Sequence, residues 1–185
     1  LDDPYFEKID VPVDFEKYNN VLAKTGKKLY LHQEEGIKFL LSRRGCILAD
    51  DMGLGKSLQS IVAALESGAE NILVVCTSSL KINWQREIAV FTNDSVIVEG
   101  RKWKKAKFTI INYDILKNFH TIKKPKKKGE ENIEEELNRQ IADSKFDLVI
   151  IDEAHNLKNN KSIRGEIMVD LVVNHGIEKV WLLTG

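Results

Sequence analysis

Two kinds of apolar segment alternate along this chain. Short apolar runs at 46–49, 71–76, 95–98, 108–112, 146–151 and 179–183 read as strands, and the run 71–76, apolar on both faces, as one buried in a parallel sheet. Between them, apolar positions recur every three or four residues, as on one face of a helix. Ile37, Leu40 and Leu41 share a face over 31–44, a helix from Leu58 ends near Gly68, and Leu80, Trp84, Ile88 and Phe91 form one stripe. Later, Ser162 can cap a helix carrying Ile163, Ile167 and Leu171. Near the start, Asp14 caps a short helix with Phe15, Tyr18 and Leu22 on one face and Gly26 at its close. Strand and helix in alternation predict an α/β fold, a mostly parallel sheet with helices on both faces. Residues 1–28 read as a lead-in at the edge of one domain spanning 29–185. Trp84, inside a helical stripe, reads as core rather than as a platform for stacked bases.

Composition narrows the class. A chain of 185 residues, 43% hydrophobic and 30% charged, has the makeup of an ordinary soluble domain with one sizeable core. No apolar run approaches the ~20 residues of a membrane helix, so no membrane partner is expected. Leu1-Asp2-Asp3-Pro4 lacks the basic and apolar regions of a secretory leader, and a cytosolic or nuclear protein is the expectation. Cys46 and Cys76 fall inside strand runs with no nearby Cys or His at ligand spacing, so they read as small core residues of a reducing compartment. The formal net charge is zero, and any electrostatic case for nucleic acid has to be local. One such place is Arg101-Lys102-Trp103-Lys104-Lys105-Ala106-Lys107, either a nucleic-acid surface or a solvated hairpin. Another is 120–144, where a lysine run around Lys126 gives way to a glutamate run around Glu135. It reads as an exposed insertion leading into an amphipathic helix with Ile133, Leu137 and Ile141, and its opposite charges either neutralise one another or contact DNA.

The chemistry concentrates in two runs. Asp50-Asp51-Met52-Gly53-Leu54-Gly55-Lys56-Ser57 joins a strand to a helix, where backbone N–H groups and the helix N-terminus make a nest for phosphates. Lys56 can reach the β- and γ-phosphates and Ser57 can ligate Mg²⁺, although the usual pattern has glycine where this chain has Asp50. In Phe146-Asp147-Leu148-Val149-Ile150-Ile151-Asp152-Glu153-Ala154-His155, an apolar strand empties into acidic residues at its carboxyl end. That end of an open parallel sheet is where ligands bind, so Asp152 can hold Mg²⁺ through water and Glu153 can polarise an attacking water. Gln33, ahead of the loop, offers an amide donor and acceptor that suit an adenine edge. Thr77-Ser78-Ser79, at another strand end, offers hydroxyls for nucleic-acid backbones.

In order, Gln33, the loop 50–57, Ser79-Leu80 with Asn83-Trp84 and Glu87, Asn112-Tyr113-Asp114, Asp152-Glu153-Ala154-His155 and Leu182-Leu183-Thr184-Gly185 resemble the first RecA-like lobe of Swi/Snf-type ATPases. The resemblance runs from about Leu29 to the end and implies a three-layer RecA-like P-loop fold. It implies ATP bound by Gln33, Asp51, Met52, Gly53, Leu54, Gly55, Lys56 and Ser57, Mg²⁺ by Ser57 and Asp152, and catalysis by Lys56, Asp152, Glu153 and His155. It also implies nucleic-acid contact by Ser78, Ser79, Asn112 and Tyr113, with His155 and Thr184 coupling nucleotide state to DNA. Thr77 stands where the family commonly has proline, and Asn112 where it has serine. The implied function is ATP-dependent translocation on double-stranded DNA, with the alternatives of a strand-separating helicase, a restriction-type translocase or a non-catalytic nucleotide-binding module. Members of the family continue beyond Thr-Gly into a second lobe that supplies arginines, so this lobe alone is expected to be nearly inactive. The implied location is nuclear in a eukaryote and cytoplasmic, on the nucleoid, in a bacterium or virus.

Overall fold

The computed structural model describes residues 11–49, 53, 55–123, 137–157 and 162–185. Six strands form one sheet: β1 (Gly45–Ala49), β2 (Ile72–Cys76), β3 (Ser95–Ile97), β4 (Phe108–Asn112), β5 (Leu148–Ile151) and β6 (Lys179–Thr184). Their order is β1-β6-β5-β2-β4-β3, and every neighbouring pair is parallel. All six carboxyl ends therefore lie along one edge. Cys76 stands opposite Asn112, Val75 opposite Ile151, and Ala49 opposite Thr184, so residues distant in sequence become neighbours there.

The continuous apolar runs of β2, β4 and β5 are explained by burial on both faces, whereas β1, β3 and β6 are only partly covered. Ile72, Val74 and Cys76 of β2 and Leu148 and Ile150 of β5 face one core, while Leu73, Val75, Val149 and Ile151 face a second. The first core is covered by α1 (Phe15–Ala23), α2 (Leu31–Leu41), α3 (Lys56–Glu66) and α4 (Lys81–Ala89), through Leu22, Ile37, Ile61, Trp84 and Ile88. The second is covered by α5 (Leu116–Phe119), α6 (Gln140–Asp143) and α7 (Ile163–Val173), through Phe119, Ile141, Ile167 and Leu171. Each of these side chains contributes about 1.5–3 kcal/mol by leaving water. Helix α1 is capped by Asp14, whose Oδ1 accepts from Glu16 N at 3.1 Å, and Tyr18 and Leu22 bury themselves in the first core. The described part of the segment read as a lead-in, 11–28, is thus docked, with the Tyr18 hydroxyl donating to Glu66 Oε2 at 2.6 Å. The capping Ser162 is also observed, its Oγ accepting from Gly165 N. Asp147 ties two strand starts together by accepting from Glu70 N and Asn71 N at 2.9 and 3.1 Å.

The charged insertion differs from its reading. Residues 124–136, which hold Ile133 and both charge runs beyond Lys123, lie outside the described residues. What is described has no helix over 137–139, only the single turn α6 with Ile141 buried. Asn138 Nδ2 donates to the backbone oxygen of Asn118, and that anchor competes with helix continuation. Trp103 packs its ring at 4.9 Å from Phe119 and donates Nε1 to Ser144 Oγ at 3.1 Å, so the aromatic of the basic run is engaged in the second core. Cys76 is buried but Cys46 only partly, and burial pushes their thiols up to about 12 and about 11.

A polar staple closes the second core. His120, buried at the end of α5, places Nε2 at 2.6 Å from Asp170 Oδ2 on α7, and His175 Nε2 lies at 3.3 Å from the same oxygen. Two ligands of one tetrahedral ion would sit roughly 3.3 Å apart, so the shorter contact is a direct hydrogen bond. Burial alone would raise the Asp170 carboxyl, but hydrogen bonds from Asn174 and His120 and the nearby imidazoles hold it below its ordinary value. A depressed carboxyl contributes stability that is fully present above the unfolded value of ~3.9 and is lost as pH falls through the folded value. Acid unfolding followed by circular dichroism is therefore expected to show a shallower limb in Asp170→Asn than in the parent chain.

Candidate nucleotide and metal site

The loop after β1 turns on two glycines. Gly53 and Gly55 adopt φ of +87° and +75°, and Gly55 is the N-cap of α3. The left-handed φ favours glycine at 55, and a Cβ there would lie 2.4 Å from Gln33 Nε2 and push that amide off the loop. Gly55 has no side chain with which to cap α3, and the first N–H groups of a helix are the kind of donors that favour an anion. Lys56 and Ser57 are the first two residues of that helix. Asp50, Asp51, Met52 and Leu54 lie outside the described residues.

The acidic pair stands at the end of β5. Asp152 is fixed from four sides: its N donates to Val75 O at 2.8 Å, its O accepts the Tyr113 hydroxyl at 2.6 Å, Trp84 Nε1 donates to Oδ2 at 2.8 Å, and Glu153 N donates to Oδ1 at 2.9 Å. Burial raises the Asp152 carboxyl above its ordinary value, and Glu153 adds to this, while the Trp84 hydrogen bond and the Lys56 charge oppose it. A raised carboxyl contributes stability that is present below the unfolded value and lost as pH rises through the folded one, so ionised Asp152 is a cost at neutral pH. Asp152→Asn keeps the shape but accepts from only one of Trp84 Nε1 and Glu153 N, leaving the other donor unpaired. It also removes the ionisation cost, so its stability relative to the parent chain, measured without ligand, is expected to rise between acid and pH 7. Calorimetry across pH checks this.

Glu153 has φ of +55°, a left-handed conformation that a non-glycine residue holds only at a cost of about 1–2 kcal/mol. Its Oε2 lies 3.2 Å from His155 Nδ1, which ties it to the turn that follows. Across the sheet edge, the Ser57 hydroxyl donates to Glu87 Oε2 at 2.6 Å, and Asn83 Nδ2 donates to Glu87 Oε1 at 2.9 Å.

The remaining candidates separate by exposure. Gln33 is 6% exposed and accepts Tyr30 N at 3.0 Å, with its amide nitrogen against the Gly55 loop. Ser78 and Ser79 are exposed in a 3-10 turn at the end of β2. Asn112 and Tyr113 are buried, Asn112 Oδ1 accepting from Lys81 Nζ at 3.0 Å and the Tyr113 hydroxyl engaged by Asp152. Lys81, 3% exposed, also reaches Glu99 at 2.6 Å. Thr184 closes β6 beside Ala49, where the glycine loop begins. The roles of Lys81, Trp84 and Glu87 at this edge were missed, though their spacing on one helix, Lys-x-Asn-Trp-x-x-Glu, carried the signal.

An all-parallel sheet with helices on both faces and its loop, helix start and acidic pair along one edge is a RecA-like α/β lobe. The crystal structure of T4 UvsW has this fold, with a TM-score of 0.61 and 20% identity over 99% of this chain and 36% of that one. Residues 32–185 match the family described as SNF2-related domain, and the chain belongs to that family. Among curated relatives, the Xenopus tropicalis SWI/SNF-related matrix-associated actin-dependent regulator of chromatin subfamily A-like protein 1 is 34% identical over 176 residues, 90% of this chain and 16% of that protein. The Danio rerio DNA excision repair protein ERCC-6-like is 35% identical over 159 residues, 73% of this chain and 10% of that protein. The rice DNA repair and recombination protein RAD54 is 32% identical over 165 residues, 76% of this chain. The chain spans less than a fifth of each of these relatives, 16%, 10% and 16% of their lengths. Among the described residues no helix is long and apolar enough to cross a membrane.

Proposed function

We propose that this chain is the ATP-binding lobe of an ATP-dependent double-stranded DNA translocase, working against a second lobe of its parent protein. The reading is carried by one observation: Lys56 and Ser57, at a helix start that follows the left-handed Gly55, share a sheet edge with the Asp152-Glu153 strand end in an SNF2-related chain. The Lys56 ammonium and the first N–H groups of α3 bind the phosphates. Gln33, packed on the loop, links the adenine side of the site to the phosphate side.

Ser57 and Asp152 fit Mg²⁺ as hard oxygen donors, with the Asp152 carboxylate held in one orientation by hydrogen bonds on both oxygens. The ion, when bound, supplies charge neutralisation on the phosphate oxygens. Glu153, on a left-handed backbone, accepts a proton from the attacking water. His155, 3.2 Å from Glu153, relays the state of this base to the turn after it. Ser78 and Ser79 supply exposed hydroxyls for a DNA backbone, with Asn112 and Tyr113 supporting that surface from within. The second lobe supplies arginine charge, an effect of ~10³–10⁵ in rate in other nucleotide hydrolases, so the lobe alone is nearly inactive. The protein acts in the nucleus if eukaryotic, and in the cytoplasm on the nucleoid if bacterial or viral.

ATP turnover by the chain joined to its second lobe is the test, measured without nucleic acid and with single-stranded DNA, duplex DNA or RNA. Stimulation by duplex DNA is expected. A preference for RNA or single strands reassigns the protein to strand-separating helicases. No turnover under any condition leaves a nucleotide-binding module and overturns the enzyme.

A further inference from the structure

The chemistry proposed above gives Asn83, Trp84 and Glu87 no part, yet their side chains reach both candidate metal ligands. Glu87 takes the Ser57 hydroxyl proton on Oε2 at 2.6 Å and is itself held by Asn83 on Oε1 at 2.9 Å. Trp84 donates to Asp152 Oδ2 at 2.8 Å. Ser57 belongs to α3 and Asp152 to the end of β5, and β6 separates the strand before α3 from β5 in the sheet. Trp84 and Glu87 lie three residues apart on α4, hence on one face of a single rigid element. Trp84 is 1% exposed and packs in the first core with Ile88, so α4 cannot turn or slide without emptying packed volume.

A serine hydroxyl has one proton and two lone pairs. With the proton committed to Glu87, its lone pairs are left for a cation and the hydroxyl cannot rotate to present a proton instead. Asp152 is fixed in the same way, one hydrogen bond on each carboxylate oxygen leaving the other lone pairs free. We propose that α4 is a brace for the divalent cation, with Glu87 the positioning residue for Ser57 and Trp84 the positioning residue for Asp152. This rests on the ATP and Mg²⁺ reading and deepens it. The brace sets the two oxygen donors before the cation arrives and makes the Mg²⁺-dependent part of nucleotide affinity a property of α4. Partners that orient metal ligands matter in this way in other sites, where their loss weakens metal binding 10–100-fold.

Two substitutions isolate the effect. In Glu87→Gln the amide has one accepting and one donating end, so it cannot accept from Ser57 and Asn83 together. In Trp84→Phe a ring still fills the core but the donor to Asp152 is gone. Equilibrium binding of a fluorescent ATP analogue to the chain is measured in excess Mg²⁺ and in EDTA, with thermal melts of each variant alongside. Both variants are expected to bind the analogue in EDTA like the parent chain and to lose about 10–100-fold of the gain that Mg²⁺ brings. An unchanged Mg²⁺ gain in the variants, or an equal loss in both buffers, overturns the brace alone, whereas a parent chain that gains nothing from Mg²⁺ overturns the Mg²⁺ reading and the brace with it. A parent chain that binds the analogue in neither buffer overturns the ATP reading and the brace with it.

Discussion

Lys56→Ala is expected to remove ATP binding, and Glu153→Gln to keep binding while lowering turnover by at least about 10²-fold when the second lobe is present. The two residues act on different steps because of where they stand. Lys56 opens α3 directly after the left-handed Gly55, where the helix end already favours anions, and its ammonium is the mobile charge added to that fixed field. Alanine is a strong helix former, so α3 persists and the loss falls on the site rather than on the fold. Without that ammonium, Asp152 loses one of the charges that oppose the rise of its carboxyl. Glu153→Gln preserves size and the left-handed backbone but removes the only proton acceptor the side chain offers. Calorimetric titration with ATP and single-turnover hydrolysis separate the outcomes. Full turnover in Glu153→Gln would sink its assignment as the base.

Trp84→Ala is expected to be the most damaging of the single changes to stability, at about 3–5 kcal/mol. At roughly 2–4 °C per kcal/mol for a chain of this size, the melting point should fall by about 6–20 °C. The side chain is 1% exposed and belongs to the first core, so its removal leaves a cavity that the packed sheet and helices cannot close without moving. The change also takes the Nε1 donor from Asp152, leaving a half-buried carboxylate with one fewer partner. Urea unfolding measures the total. Trp84→Phe in the same series separates the lost volume from the lost donor.

Most of this architecture was legible in the sequence because strands buried on both faces write continuous apolar runs. Val74, Val75 and Cys76 show that pattern, and β2 indeed sits inside the sheet with a core on each side. The glycine loop and the Asp152-Glu153 strand end were legible for a related reason, since a parallel sheet places all such ends along one edge. The partners of the site residues were less so. Nothing in the spacing said that Asn112 would turn inward to Lys81, because a buried lysine is rare and its stem reads as helix surface. Trp84 read correctly as core, and its single polar atom, the one that meets Asp152, was hidden by that reading. Trp103 in its basic run looked like surface, for the ring's contacts with Phe119 and Phe146 come from segments far along the chain.

The strand that leads into the glycine turn also lies at one rim of its sheet. β1 pairs with β6 alone among the described residues, and Ile47 at its middle is 57% exposed. A rim strand bonded on one side opens more readily than one laddered on both, so its amides exchange with solvent deuterium sooner than those of β2. The strand expected to exchange early and the glycine turn proposed to hold phosphate then follow one another in the chain. Occupancy by a nucleotide would register as slowed exchange along β1, giving the lobe a local order-to-activity link that the rigid middle of the sheet cannot provide.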